Sequence, residues 1–400
     1  MTNLNWRLPD GVEEFLPPVA SSLEVLRRRV LDVFRSWGFS YIEPPIIEYL
    51  EGLLVGTEYL GQENDLDLQT IKVIDQRSGR LLGIRSDMTA QAIRIDAHSL
   101  ASSEDKIRRL CYAGPVVQAN PTGVFDTRVP IKAGAEIFGS ASLDADAQVI
   151  ALMLDVLENV GVEDPVIVLG HMGIYSGLVQ PYNLGGEIEK ELFKAVQAKS
   201  QADIKNLLKE AGNSSLMENL PLLMGEIRDL PRSVKALSKA PKPAITAMEE
   251  LERLASVILS RFPGLKLRFD LAELAGYGYH NGPVFTAYQP NIGRAIARGG
   301  RYDGIGESFG LGRPATGFDI SIQQLVSQDV PETAIWVKIP EDAVLSDREV
   351  LDEEIRRLRS SGENVVVSLA GEDVPPMLCD RELVLINERC DVKPLARSRK

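Results

Sequence analysis

Between Arg109 and Gly139 two apolar runs flank a turn-forming segment, Asn120-Pro121-Thr122-Gly123. Pro and Gly are poor strand residues and good turn residues, so the pattern predicts two strands joined by a long turn. Leu110, Tyr112, Val116 and Val117 carry the first run. The second run alternates: Ile131, Ala133, Ala135 and Ile137 point one way, and Lys132, Gly134, Glu136 and Phe138 the other. Glu136 thus falls within an otherwise apolar strand, where an unpaired carboxylate is costly to bury. Lys132 shares its face, but residues four apart on a strand lie roughly 13 Å apart, a stretch for direct pairing. Glu136 wants a cation that the local sequence does not supply. An Arg or Lys from a neighbouring strand is the plain expectation.

The 400 residues around this pair are enough for two or three domains and a large core. A formal charge of −13, from 44 basic and 57 acidic residues, argues against a general nucleic-acid surface. Cys111, Cys379 and Cys390 form no close pair of the metal-binding or redox kind. With no secretory leader at the start, that odd count predicts a reducing cytoplasm. No apolar run is long enough to span a bilayer.

In chain order, Leu8-Pro9-Asp10-Gly11 reads as a turn, and an amphipathic helix is expected from about Ser21 to Trp37. Its Arg27-Arg28-Arg29 triplet reads as a solvated face or a binding patch. Phe39 to Glu43 reads as a short strand stopped by Pro44-Pro45, with Glu48 on a second short element. A hairpin, Ile71–Ile74 and Leu81–Ile84, turns at Ser78-Gly79. Ser86 or Asp87 can cap a helix running to about His98, and Asp87 and Thr89 then serve as caps alone or as polar groups at a pocket mouth.

Helices are expected at Asp144 to Val160 and from Gly173, with an apolar strand at Pro165 to Gly170 ending at His171, which reads as structural or functional. From Gly185 to about Phe262 the chain turns helical and polar. Strands are expected at Leu265–Phe269, Leu271–Tyr277, Val284–Gln289 and Ile292–Arg298, and a last core helix after Ala315-Thr316-Gly317, ending near Val326. Asp329-Val330-Pro331 reads as a linker. Beyond it come a strand (Ala334–Ile339), a helix (Asp347–Ser360), two strands (Asn364–Leu369, Glu382–Ile386) and a basic, disordered tail with Lys393, Arg397, Arg399 and Lys400.

This order of signals resembles the class II aminoacyl-tRNA synthetases, and within them histidyl-tRNA synthetase. Trp37 to Pro45 with Glu48 looks like the family's first motif, a helix and strand at a dimer interface. Arg85-Ser86-Asp87-Met88-Thr89 resembles its Arg-Pro-Glu-x-Thr segment, and Gly114-Pro115 through Gly139 its second motif. Gly299-Gly300-Arg301-Tyr302-Asp303-Gly304 is similar to a glycine-rich signature of the histidyl enzyme, and Gly317-Phe318-Asp319-Ile320 stands where the third motif begins. The resemblance implies an α/β (α+β) fold: an antiparallel sheet flanked by helices over residues 1–180 and 263–328, a helical insertion over 181–262, and a shortened anticodon-binding-like α/β module over 329–400.

The departures matter as much. Adenylation needs guanidinium groups to clamp ATP phosphates. By the resemblance, the Arg of the second motif falls on Gln118, the Arg of the third on Gln324, and the histidyl family's own catalytic Arg on Ala275. Losing one charged donor at a transition-state site costs roughly 2.7–4 kcal/mol, so losing three leaves no phosphate clamp. The amino-acid pocket survives in part. The resemblance gives Glu136 the ligand's imidazole, and Asp87 and Thr89 its amino group. Tyr279 and Tyr302 are retained, His280 replaces a tyrosine and Lys132 a glutamine. His280 also reads as an exposed loop histidine, and Tyr302 as a core tyrosine.

A histidine pocket on an inactive synthetase core is the pattern of the regulatory subunits of short-form ATP phosphoribosyltransferase. That resemblance implies no catalysis of its own, no cofactor or metal, and no nucleic-acid or membrane partner. It implies L-histidine as effector and a short catalytic subunit as partner. A homodimer through the first motif within a hetero-octamer, in the cytoplasm, completes the expectation. A divergent adenylating enzyme using Arg128 or Arg301 is the alternative, and a synthetase-like scaffold or stress sensor is a third reading.

Overall fold

The computed structural model describes residues 7–54, 68–120, 127–209, 214–274, 279–290, 293–326, 333–339, 344–369, 371–376, 378–386 and 389–395. The chain divides into two units, Met1–Glu14 with Leu23–Val326, and Phe15–Ser22 with Ser327–Lys400.

The larger unit is built on a nine-stranded sheet in the order β1 (Ser40–Tyr41), β5 (Arg108–Pro115), β6 (Ile131–Phe138), β12 (Ala315–Ser321), β11 (Ala295–Arg301), β10 (Pro283–Tyr288), β7 (Val166–His171), β9 (Lys266–Asp270) and β8 (Met224–Glu226). Its neighbours are antiparallel except at β1–β5 and β7–β9. β2 (Ile47–Tyr49), β4 (Leu81–Ile84) and β3 (Ile71–Ile74) form a separate small sheet.

Helix Val19–Ser36 buries Leu23, Leu26, Val30, Val33 and Phe34, the helical-spacing set of the sequence, and Phe34 meets Phe318 of β12 edge-on at 5.9 Å. Helix Leu143–Asn159 starts at Ser142, which caps it by accepting from the Asp144 N–H, and buries Val149, Ile150, Leu152, Met153 and Val156. His171 is structural in this fold: it is buried, its Nδ1 accepts from the Gly173 N–H at 3.0 Å, and its Nε2 lies 3.2 Å from Glu250. Between Gly186 and Asn219 three helices, Gly186–Gln197, Gln201–Leu207 and Ser215–Asn219, pack in succession and bury Leu192, Val196, Ile204 and Met217.

Several local expectations give way to tertiary context. Only Ser40–Tyr41 of the Phe39–Glu43 run pairs as strand, because its partner is the edge of β5 alone. Leu271–Leu274 forms no strand; the Asp270 carboxylate accepts the Ala272 N–H and bends the chain. Residues 275–277 of the expected Leu271–Tyr277 strand, Ile292 at the start of the expected Ile292–Arg298 strand, and the 329–331 linker lie outside the described residues. Ala315–Ser321 is a central strand rather than the start of a helix, since β6 and β11 flank it on both sides. A short 3-10 turn, Ile322–Leu325, ends it.

The smaller unit carries a four-stranded sheet ordered β14 (Val365–Val367), β13 (Ala334–Val337), β15 (Cys379–Ile386) and β16 (Arg389–Pro394). Helix Leu345–Ser360 buries Leu351, Ile355 and Leu358 in one cluster with Ile335, Val337 and Leu383. β16 was not expected: Lys393 belongs to it, paired with Glu382 of β15, not to a disordered tail. Arg397, Arg399 and Lys400 lie outside the described residues.

Candidate functional site

The register of three strands assembles the site. Gly134 of β6 lies opposite Tyr112 on β5 and opposite Asp319 on β12, and Glu136 lies opposite Leu110 and Gly317. A side chain at Gly134 would strike the Tyr112 ring, whose atoms come within 2.5 Å of a Cβ placed there. Tyr112 therefore lies across β6 between Lys132 and Glu136. A Cβ at Gly317 would meet the Glu136 carboxylate at 1.5 Å, so the glycine of the third motif makes room for it.

Glu136 is 1% exposed. It has no ion-pair partner among the described residues, contrary to the cation expected from a neighbouring strand. Two hydroxyls satisfy it instead: Tyr112 donates to Oε1 at 2.8 Å and Tyr302 to Oε2 at 2.6 Å. Burial pushes its carboxyl up to about 8, against the opposing pull of the Tyr302 and Tyr112 hydrogen bonds. Burial and the Glu136 charge also hold both tyrosine hydroxyls well above their ordinary range, so each stays protonated as a donor.

The helix Thr89–Arg94 brings the next residues. Its N-cap position is Met88, without a side-chain cap, rather than Ser86 or Asp87. Asp87 instead turns its Oδ1 onto the Thr89 N–H at 2.7 Å, leaving Oδ2 facing the site. The Thr89 hydroxyl lies 3.0 Å from that of Tyr112. Glu48 of β2 fixes the helix by accepting from Gln91 and Arg94, each at 2.7 Å. A π-helical turn, Ile95–Ser99, follows, and its buried Asp96 is held between Arg108 at 2.8 Å and Arg313 at 3.0 Å.

Lys132 does not reach Glu136. Its Nζ lies 3.1 Å from Asp319 and 3.6 Å from Asp87. Burial lowers the Lys132 pKa, but the two carboxylates outweigh it and raise the ammonium's pKa overall. Burial raises that of Asp319, with Lys132 opposing. The tyrosine-bearing loop closes the other side. Tyr279 lies with its ring centroid 5.1 Å from Tyr302, and the His280 ring is 5.2 Å from Tyr279 and 6.3 Å from Tyr302. Burial, with the Glu136 charge, keeps the Tyr279 hydroxyl protonated.

All seven residues singled out from sequence, Asp87, Thr89, Lys132, Glu136, Tyr279, His280 and Tyr302, thus join one continuous set of contacts, linked through Tyr112. Sequence reasoning passed over Tyr112 and gave Asp319 no role. The available signal was Gly134: a glycine inside an alternating strand marks a close approach from a neighbour. The result is an elongated polar site with two unlike ends. A buried carboxyl with two hydroxyl donors suits a ring nitrogen. The partly exposed Asp87–Lys132–Asp319 group suits a charged head.

The phosphate-clamp positions look different. The Gln118 N–H donates to the Arg128 carbonyl at 2.8 Å, and the Arg128 Nε donates back to the Gln118 carbonyl at 3.2 Å. Gln324 lies on the 3-10 turn with its amide oxygen buried and unbonded among the described residues, and Ala275 lies outside them. Arg301 is buried against Asp146, with contacts of 2.8 and 3.1 Å, and donates to the carbonyls of Ser140 and Ser142. No cluster of metal-ligating side chains occurs among the described residues.

Known proteins resemble this chain in sequence and in fold. Residues 11–325 match the histidyl-tRNA synthetase family model, and residues 333–393 match the "ATP phosphoribosyltransferase subunit HisZ C-terminal domain". The ATP phosphoribosyltransferase regulatory subunits of Pseudomonas fluorescens and Stutzerimonas stutzeri are each 44% identical over 401 residues, covering 98% of both chains. Among solved structures, a Bacillus halodurans protein described as an ATP phosphoribosyltransferase regulatory subunit/histidyl-tRNA synthetase superposes with a TM-score of 0.78 at 26% identity, covering 92% of this chain and 94% of that one. The histidyl-tRNA synthetase of a Nostoc species shares the fold, with a TM-score of 0.76 at 19% identity over 95% of this chain and 91% of that one.

Proposed function

Since the chain belongs to the family of ATP phosphoribosyltransferase regulatory subunits, we propose that it serves a short-form catalytic subunit as a non-catalytic partner. It raises that subunit's turnover and makes it sensitive to L-histidine, in the first step of histidine biosynthesis and in the cytoplasm. The observation that carries the effector assignment is Glu136, a buried carboxyl held by two tyrosine hydroxyls with no ion-pair partner among the described residues. An imidazole nitrogen bound there gains a charge-assisted hydrogen bond out of water. Asp87, Thr89, Lys132, Tyr279, His280 and Tyr302 complete the histidine site.

The rival reading, amino-acid adenylation, lacks a clamp. Arg301 is enclosed by Asp146 and backbone carbonyls, Arg128 is engaged by the Gln118 carbonyl, and Gln118 and Gln324 are neutral. No helix among the described residues is long and apolar enough to cross a membrane. The test is the steady-state rate of the cognate short catalytic subunit with ATP and phosphoribosyl pyrophosphate. Addition of this chain is expected to raise the rate, and histidine to lower it again. A rate unchanged by folded, cognate chain would refute the assignment.

The first-motif homodimer surface of the proposed hetero-octamer takes in the small sheet. Ile47, Tyr49 and Val73 are exposed and share one of its faces: Ile47 lies opposite Ile84, and Tyr49 and Val73 both lie opposite Leu82. Exposed apolar side chains sharing one sheet face mark an interaction surface, here for a second copy. A Val73→Asp variant is expected to run at half the wild-type mass of the isolated chain in light scattering. An unaltered mass would place the contact elsewhere.

A further inference from the structure

Resting on the histidine-site reading above, we infer that Asn281 is a positioning residue for that site: its side-chain amide locks the segment carrying Tyr279 and His280 onto the segment carrying Tyr302, and so sets how tightly histidine is held. β10 and β11 pair as far as Val284 and Gly300. Beyond that pair, Asn281 keeps the two segments together. Its backbone N–H donates to the Arg301 carbonyl at 2.9 Å. Its side chain then makes two bonds to the backbone of one residue: Nδ2 donates to the Asp303 carbonyl at 2.9 Å, and Oδ1 accepts from the Asp303 N–H at 3.1 Å. A planar amide offers a donor and an acceptor side by side, so Asn281 does here what the backbone of a paired strand would do.

Both ends of this clamp are anchored. Asp303 Oδ1 accepts from the Ala315 N–H at 2.8 Å and from Arg301 at 3.1 Å, and Arg301 is itself held by Asp146 of helix Leu143–Asn159. On the other side, the Gly282 carbonyl accepts from the Met172 N–H at 2.9 Å, and a Cβ at Gly282 would come within 2.9 Å of the Arg301 side chain. The rings of the site lie next to these anchors. His280 packs over Gly300, where a Cβ would come within 2.7 Å of its ring. Tyr279 rests on Tyr302 at 5.1 Å, and Tyr302 donates to Glu136. Asn281 follows Tyr279 by two residues and Asp303 follows Tyr302 by one, so the clamp fixes the spacing of the two tyrosines at short range.

Asn281 is itself exposed, so its truncation opens no cavity. A residue serving its own turn alone has no need to place both amide atoms on the backbone of a residue 22 positions away. Without the clamp, Arg301, Asp146 and the paired strands keep their contacts, and the segment carrying Tyr279 and His280 is free to lean away from Tyr302. The Tyr279 hydroxyl, buried close enough to Glu136 and Asp87 to feel their charges, then loses its fixed place in the site.

The test is calorimetric titration of histidine into the full-length chain, with thermal unfolding as the folding control. Asn281→Ala is expected to bind about 5- to 30-fold more weakly than wild type, the range for two neutral hydrogen bonds. Asn281→Asp keeps the shape and the acceptor but turns an oxygen onto the Asp303 carbonyl, and is expected to lose at least as much. A double-mutant cycle separates positioning from general loosening. In a Tyr279→Phe background, Asn281→Ala is expected to cost no more than about 3-fold, because the hydroxyl it places is gone. Wild-type affinity in either Asn281 variant, or losses that multiply in full in the double variant, would overturn the inference while leaving the histidine site standing. Failure of wild type to bind histidine would remove the site itself, and the inference with it.

Discussion

Glu136→Gln is expected to weaken histidine binding by about 10- to 100-fold while the chain stays folded, because one hydrogen bond to an ionised group is worth about 1.5–3 kcal/mol. Gln preserves the shape of the side chain. It also leaves Tyr112 and Tyr302 with partners, since a tyrosine hydroxyl both donates and accepts. What Gln cannot do is take up the imidazole as a charged pair. Glu136→Ala goes further: it strands the buried Tyr302 hydroxyl, leaves that of Tyr112 with Thr89 alone, opens a cavity and is expected to abolish binding. Titration calorimetry on the folded variants, with thermal unfolding as the control, separates these effects. Wild-type affinity in Glu136→Gln would take Glu136 out of the site.

The pH window of histidine binding is expected to lie between about 6.5 and 8, a full window higher than an ordinary carboxylate would give. With Glu136 raised to about 8, the free site holds a proton at neutral pH, whereas free imidazole, near 6.5, does not. The bound pair shares one proton, so binding in this window exchanges none with solvent. Below it the free partners hold two protons and binding releases one; above it they hold none and binding takes one up. Affinity should therefore fall about tenfold per pH unit on either side. A carboxyl at its ordinary 4.5 would instead place the optimum between 4.5 and 6.5. Measuring Kd across pH decides between the two, and Glu136→Gln should lose the alkaline limb. For folding, a raised carboxyl pKa contributes stability that is fully present below its unfolded value near 4.5 and is lost as pH rises through about 8.

Taken residue by residue, much of the site was legible because its spacing is local. The strand pair around Glu136, the hairpin at Ser78-Gly79 and the helix beginning near Thr89 all follow from alternation and turn chemistry. Those signals live in a few neighbouring residues. The misreadings share one cause. Ala315–Ser321 becomes a strand because β6 and β11 lie on both sides of it, and Lys393 becomes ordered because Glu382 pairs with it across a sheet. Neither partner is near in sequence.

The sequence by itself placed a carboxylate at Glu136 within an apolar strand and a lysine four residues away on the same face, while the replacement of clamp arginines was an expectation from the family resemblance. It could not say how Glu136 would be satisfied or what Lys132 would hold. The tertiary structure decided both. Tyr112 comes from the adjacent strand, Tyr302 from beyond β11 and Asp319 from β12, so their meeting depends on strand register across residues up to 187 apart. Burial keeps the Glu136 carboxyl near 8 against the pull of those hydroxyls, and Lys132 is shared between Asp319 and Asp87 at the other end. Long-range pairing set both, because burial and the partners of a charge are properties of the assembled sheet and not of the strand that carries it.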